Sequence, residues 1–214
     1  MTKEHVIDKP LPIQVAELLL YRIFSGELVQ GQRLIESEIA KELQVSHAPV
    51  REAFYILQKD NILERLPRRG VTVRTISDDE LNDYIEILVI LLRKAVKDCE
   101  NQWNADVHDE FEKRVNILRE HHKEMNIIDY IASTEDFLKL FFEVSKNTAA
   151  VRFYSQIAMI TKVAAQTKWT PEIINNYHKL LSKFIKAIEE LNFSLAIEEI
   201  TETTFSSFLP NNEN

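Results

Sequence analysis

Residues 45–54 read VSHAPVREAF. A proline inside an apolar helical pattern breaks the helix unless it stands in the first turn, where its missing N–H has no intrahelical partner to lose. Ser46, three residues earlier, is of the type that starts helices by accepting a hydrogen bond from an orphan backbone N–H. Together they predict a helix that begins at Ser46, carries Pro49 in its first turn and continues through YILQKDN. Val50, Ala53, Phe54 and Leu57 recur at helical spacing and form its core face. His47, Ala48, Arg51 and Tyr55 fall on other faces, and Arg51 lies near enough to the helix start to meet a phosphate or a base edge.

The flanking segments complete a motif. Residues 11–25 place Ile13, Ala16, Leu19, Leu20, Ile23 and Phe24 on one helical stripe, closed by Gly26. The turn GELVQGQRL leads to a second helix near 36–43, with Ile39, Ala40 and Leu43 facing inward, and QVS then turns tightly into the helix that starts at Ser46. Two short helices about three residues apart have helix-turn-helix spacing. Downstream, Ile62, Leu63 and Leu66, then Val71, Val73 and Ile76, flank PRRG in the pattern of a two-stranded hairpin. Cations beside a glycine at its tip suit close approach to a phosphate backbone. The expected unit is a winged helix-turn-helix.

Composition bounds the rest. The 214 residues are 45% hydrophobic and 28% charged, ordinary for a water-soluble globular chain of one or two domains. The single cysteine, Cys99, excludes an internal disulfide framework and suits a reducing compartment. The N-terminus MTKEHVIDKP has no apolar core, and no apolar run approaches the ~18 residues of a membrane span, so a cytoplasmic protein with no membrane partner is expected. The net charge of −8 is unevenly spread: residues 1–76 hold 11 Lys and Arg against 10 Asp and Glu, the remainder 15 against 24. All three glycines lie in the first part. Two domains with different partners are therefore expected, 1–76 and 77–214.

The second part reads as all-helical, which makes the fold mainly α: an N-terminal winged helix-turn-helix followed by a helical bundle. Ser77 and Glu80 have capping-box spacing. The helix they start contains YIEILVILL, apolar nearly all round, and must be buried centrally or against another subunit. A symmetric dimer follows naturally, because two-fold operators need two reading heads. Further helices are expected near 105–125, 128–145, 148–167, 171–190 and 193–208. The clearest is 171–190, with Pro171 in its first turn. Any ligand would lie between helices.

The run SGELVQGQRLIESEIAKELQVSHAPVREAFYILQKDNILERLPRRGVTV closely resembles the DNA-binding domain of GntR-type bacterial transcription regulators. The second part resembles the helical ligand-binding (FCD-type) domain of the FadR subgroup, in helix order, the SKN turn at 145–147 and YHKLL at 177–181. Carried over by position, the first resemblance implies contacts to double-stranded DNA from Arg33, Ser37, Ser46, His47, Arg51, Arg69 and Gly70. The family usually has arginine where this chain has His47. A neutral imidazole cannot make arginine's bidentate guanine contact, so an altered or relaxed operator preference is expected at that base.

Most members of the subgroup hold a divalent metal with one Asp and three His. Those four positions fall here on Thr134, Leu138, His178 and Ile200, and only His178 keeps a ligating side chain. One imidazole alone makes no tight transition-metal site, so no metal is expected. The family's Glu-x-Arg toward the pocket reads Glu86-Ile87-Leu88, which disfavours a small organic acid. The expected pocket comprises Leu88, Thr134, Leu138, His178 and Ile200, with an unknown effector that could be acyl-type, or with nothing bound. His121 and His122 read as a solvated helix end, and Phe137, Phe141 and Phe142 as core. Three functional classes remain: an effector-responsive dimeric repressor or activator; a DNA-binding protein whose second domain only dimerises; and an enzyme or metal module, disfavoured by the absence of a catalytic constellation.

Overall fold

The computed structural model describes residues 9–68 and 70–208, without the side chains of 166, 167, 207 and 208. The chain divides into two compact units between Thr75 and Ile76. In the first, α1 (Leu11–Phe24) is followed by β1 (Arg33–Leu34), α2 (Glu36–Glu42), α3 (His47–Lys59), β2 (Leu63–Leu66) and β3 (Gly70–Val73). The apolar stripe of α3 packs against α1 and α2, leaving Val50 and Ala53 with no exposed surface and Phe54 and Leu57 almost none. Ser46 stands at the N-cap position with extended backbone, yet its hydroxyl makes no capping hydrogen bond. Pro49 and the buried stripe therefore set the start of α3 without the serine bond expected from the sequence.

The wing is a three-stranded antiparallel sheet in the order β1-β3-β2, where the sequence suggested two strands. Arg33 pairs with Thr72 and Leu34 with Val71, while Leu63 pairs with Val73 and Leu66 with Gly70. Two residues are too few to show an alternating pattern, so β1 reads as part of a turn until the fold delivers its partner. The Gly31 N–H donates to the Val73 carbonyl at 2.8 Å, and the Val73 N–H to Gln32 at 2.9 Å. Ile76 does not extend β3; it packs with Leu81, Ile85 and Ile160 of the second unit.

That unit comprises α4 (Asp78–Cys99), α5 (Ala105–Glu124), α6 (Ile127–Ser145), α7 (Thr148–Lys168), α8 (Pro171–Glu189) and α9 (Phe193–Phe208). Each starts at a side chain that accepts a backbone N–H: Ser77, Asn104, Asn126, Asn147, Thr170 and Asn192. The turns after α5, α6 and α8 use Met125, Lys146 and Leu191 in the left-handed region, where glycine is the usual choice. α4 packs against α6, α7 and α9, and α8 against α9 and α5. The centre is aromatic: Phe141 lies 5.1 Å from Phe184 and 5.7 Å from Phe137, ring centre to ring centre, with Trp103 stacked 6.3 Å away. Among the described residues no helix is long and apolar enough to cross a membrane.

Cys99 ties α4 to this centre. Its thiol, fully buried, donates to the Phe141 carbonyl at 3.2 Å, and burial pushes its pKa up to about 12. Thiolate is the reactive form, so at pH 8 Cys99 is expected to react with a disulfide reagent only as the unit opens. Phe141→Ala, which removes a fully buried ring, should cost about 3–5 kcal/mol and speed that labelling sharply. Urea unfolding and labelling kinetics on the two proteins check both outcomes.

Candidate functional site

The exposed start of α3 gathers charge. Rotation of the helix is fixed by its buried stripe, which leaves Ser46, His47, Ala48 and Arg51 facing solvent. Glu36, in the first turn of α2, lies between two of them. Arg51 donates to its carboxylate through Nε at 3.2 Å and Nη2 at 2.7 Å, while His47 Nδ1 is 3.4 Å from the same group. The Arg51 hydrogen bond, ahead of its charge and that of His47, holds the Glu36 carboxyl below the usual carboxylate range. Arg51 is correspondingly raised. Glu36 was not among the residues expected from the sequence. It is 15 positions from Arg51 in the chain, and only the packing of α2 on α3 joins them.

Ser37 is exposed beside Glu36, and Arg33 is exposed on β1. Gly70 adopts φ +78, and a Cβ there would stand 3.8 Å from the Arg33 guanidinium. The backbone at Gly70 is therefore left-handed, which strains any residue with a Cβ, while the space beside Arg33 would admit one in ordinary contact. Arg69 lies outside the described residues. Arg22 is largely buried, hydrogen-bonded to Glu42 and close to Glu27, so it stabilises the unit rather than presenting a free charge.

In the second unit a cavity of about 50 Å³ opens where α4, α6, α7, α8 and α9 converge. Leu88, Thr134 and Leu138 line it as expected from the sequence. Ile200 does not: it is a fully packed core residue, 1% exposed. His178 stands behind the wall with Nδ1 3.1 Å from the Tyr130 hydroxyl, and its ring is stacked 3.7 Å from that of His122. His122 is thus not a solvated helix end; its Nε2 also lies 2.9 Å from Asn175 Oδ1. Sequence reasoning missed the contributions of α7, including Tyr154, Thr161 and Lys162, because they lie on the flank of a helix whose ligating role no motif marks. Among the described residues no three His, Cys, Asp or Glu converge in a metal-holding group.

Residues 13–73 match the model of the family described as bacterial regulatory proteins, gntR family. Over 93 residues the chain is 32% identical to an uncharacterised HTH-type transcriptional regulator, YdhC, of Bacillus subtilis, a match covering 42% of each protein. It is 37% identical over 79 residues to the gluconate operon transcriptional repressor of the same organism, covering 37% of this chain and 32% of that one. The chain thus spans less than half the length of the curated relatives it matches. The solved structure of Escherichia coli McbR/YncC shares the fold across both units, with TM-score 0.80 over 94% of this chain and 97% of that one at 18% identity.

His178 gives the second unit a pH signature. Burial first, then His122 and Arg119, lowers its pKa to about 4 from the ordinary 6.5. The unfolded chain therefore takes up a proton below about pH 6.5 that the folded chain refuses until about pH 4. Its contribution to stability is present above pH 6.5 and is lost as pH falls through that window. His178→Gln should flatten the fall in melting temperature between pH 6.5 and 4 relative to wild type; an unchanged slope in thermal melts would contradict this.

Proposed function

We propose, from the premise that residues 13–73 form a domain of the gntR family of bacterial regulatory proteins, that the chain is a DNA-binding transcriptional regulator. It grips a (pseudo)palindromic operator as a homodimer and changes its grip when a small effector enters the helical unit. One observation carries the DNA reading: an exposed helix start presents His47 and Arg51 while the opposite face of the same helix is fully buried. Such a helix is rigidly held and open to a major groove. Arg33, Ser37, Ser46 and Gly70 lie in the same unit and would add phosphate or base contacts, as would Arg69 from its place in the sequence. Repression is the mode named for the gluconate operon relative, and the relatives are transcriptional regulators rather than enzymes.

Glu36 adds a constraint to that reading. Hydrogen-bonded on one edge to that carboxylate, the exposed Arg51 guanidinium keeps its remaining N–H groups for a base or phosphate. The carboxylate also sets a local negative charge among the reading residues, so nearby phosphates are disfavoured and a cytosine amino group is an acceptable neighbour.

The dimer reading rests on α4. Ile87 and Ile90 are 49% and 61% exposed, and on the same helix face Asp83 and Glu86 precede them while Arg93, Lys94 and Lys97 follow. An acidic end, an apolar middle and a basic end form a self-complementary strip. Two copies packed antiparallel about a two-fold axis set each acidic end against the partner's basic end and bury the isoleucines. Regulation further requires that the effector bind one arrangement of the dimer better than the other.

Arg51→Ala is expected to weaken operator binding roughly 5- to 150-fold, the span of about 1–3 kcal/mol for a base contact, and to relax discrimination at one base pair. Selection of bound fragments from the source genome supplies the operator, and mobility shifts read the loss. Failure of the wild type to bind any duplex at low salt would overturn the function. Ile90→Asp should convert a dimer into monomers in analytical ultracentrifugation with helix content unchanged; a dimer of wild-type stability in that variant would place the interface elsewhere.

A further inference from the structure

We infer that the cavity of the helical unit takes a small uncharged molecule, an aliphatic body of a few heavy atoms with one hydroxyl or amide, and discriminates against carboxylates and amines. The inference rests on the effector-sensing reading of that unit and names the class of effector. Its walls come from five helices: Leu88, Ile131, Leu138 and Ala158 with the rings of Tyr154 and Tyr177 supply an apolar lining. At about 50 Å³ it exceeds the ~10–15 Å³ needed by one water, which sets the scale of the occupant.

The polar groups decide its chemistry. Thr161 Oγ1 donates to the Ile157 and Ala158 carbonyls, both at 3.2 Å, and Thr204 Oγ1 donates to Ile200 at 2.7 Å. With their protons turned back into their own helices, both hydroxyls offer only lone pairs to an occupant. Tyr154 is likewise committed, donating to the Glu135 carbonyl at 2.9 Å. Thr134 differs. Its hydroxyl is buried and makes no hydrogen bond of normal geometry, although the Tyr130 phenol lies near it. A buried hydroxyl left in that state is costly, and a ligand hydroxyl or amide that pairs with it removes the cost. The cavity therefore presents acceptors on two sides and, at Thr134, a hydroxyl with no hydrogen bond of normal geometry, which a hydroxyl or amide matches in both directions.

Charge is excluded by neutralisation. Lys162, the cation in the lining, is held 2.9 Å from Glu135, which lines the same cavity. A carboxylate entering here gains one ammonium already paired and meets the glutamate that pairs it. An amine meets Lys162 instead. Either ion must shed its water for a site whose charges already cancel, whereas an uncharged molecule loses little. His178 behind the wall does not reverse the balance, since burial lowers its pKa to about 4.

The test uses the full chain and three matched probes, isobutanol, isobutyrate and isobutylammonium, followed through the indole resonance of Trp169 in the cavity wall. Isobutanol should shift it saturably with an affinity at least tenfold higher than either ion. Thr134→Val, which keeps the shape and removes the hydroxyl, should weaken isobutanol at least fivefold without lowering the melting temperature. Glu135→Gln, which removes the negative charge that lines the cavity beside Lys162, should turn the preference toward isobutyrate. Equal or tighter binding of isobutyrate by the wild type, or no saturable shift with any probe, overturns the inference. Mobility shifts on the same preparation separate the two readings: operator binding without probe binding removes this inference alone, and probe binding without any DNA affinity removes the regulatory function alone.

Discussion

Burial of Val50, Ala53, Phe54 and Leu57 is the constraint on which the reading face depends. A helix with one apolar stripe has a single rotation that removes that stripe from water, and each large side chain so buried contributes about 1.5–3 kcal/mol. Once α3 is locked in that rotation against α1, the remaining residues have no choice of direction. His47 and Arg51 face outward because Val50 and Phe54 face inward. The same packing brings α2 alongside and sets Glu36 against Arg51, so a stability requirement positions an exposed charged pair.

The helical unit uses a different arrangement for a similar end. Its aromatic centre, with Phe137, Phe141 and Phe184 in mutual contact, gathers α5, α6 and α8, and Cys99 joins α4 to it through the Phe141 carbonyl. Away from that centre the cavity persists among smaller side chains, Ala158, Ala165 and three threonines. Close packing at one level and small residues at another leave a void that does not collapse, because the helices bounding it are held by the aromatic level. A cavity built this way is supported by parts of the unit that do not line it.

Legibility in the sequence followed the length and regularity of each element. The helix at 171–190 was plain from its stripe and from Pro171, and the start of α3 from Pro49. Strand β1 was not, since two residues carry no period and its partner lies some forty positions away. The turns at Met125, Lys146 and Leu191 were hidden because none is glycine; tertiary packing holds them in a conformation their side chains disfavour. Within the cavity, Leu88, Thr134 and Leu138 were reached by position, whereas Ile200 points into the core and His178 stands behind the wall. A few degrees of helix rotation decide between lining and core, and a sequence pattern does not resolve that angle.

The sequence by itself determined where the helices begin, which faces they bury, and that the first unit is a winged helix-turn-helix. Those properties are local: caps, proline placement and apolar spacing act within a turn or two of chain. Only the tertiary structure decided that Glu36 clasps Arg51, that His122 stacks on His178, and that Lys162 reaches the cavity already paired with Glu135. These are contacts between side chains 15 to 56 positions apart, set by helix packing angles that no single segment encodes. Local spacing fixes the helices and their buried faces, whereas these pairs form only once the helices pack, which is why the fold could be read from the chain and the pairs could not.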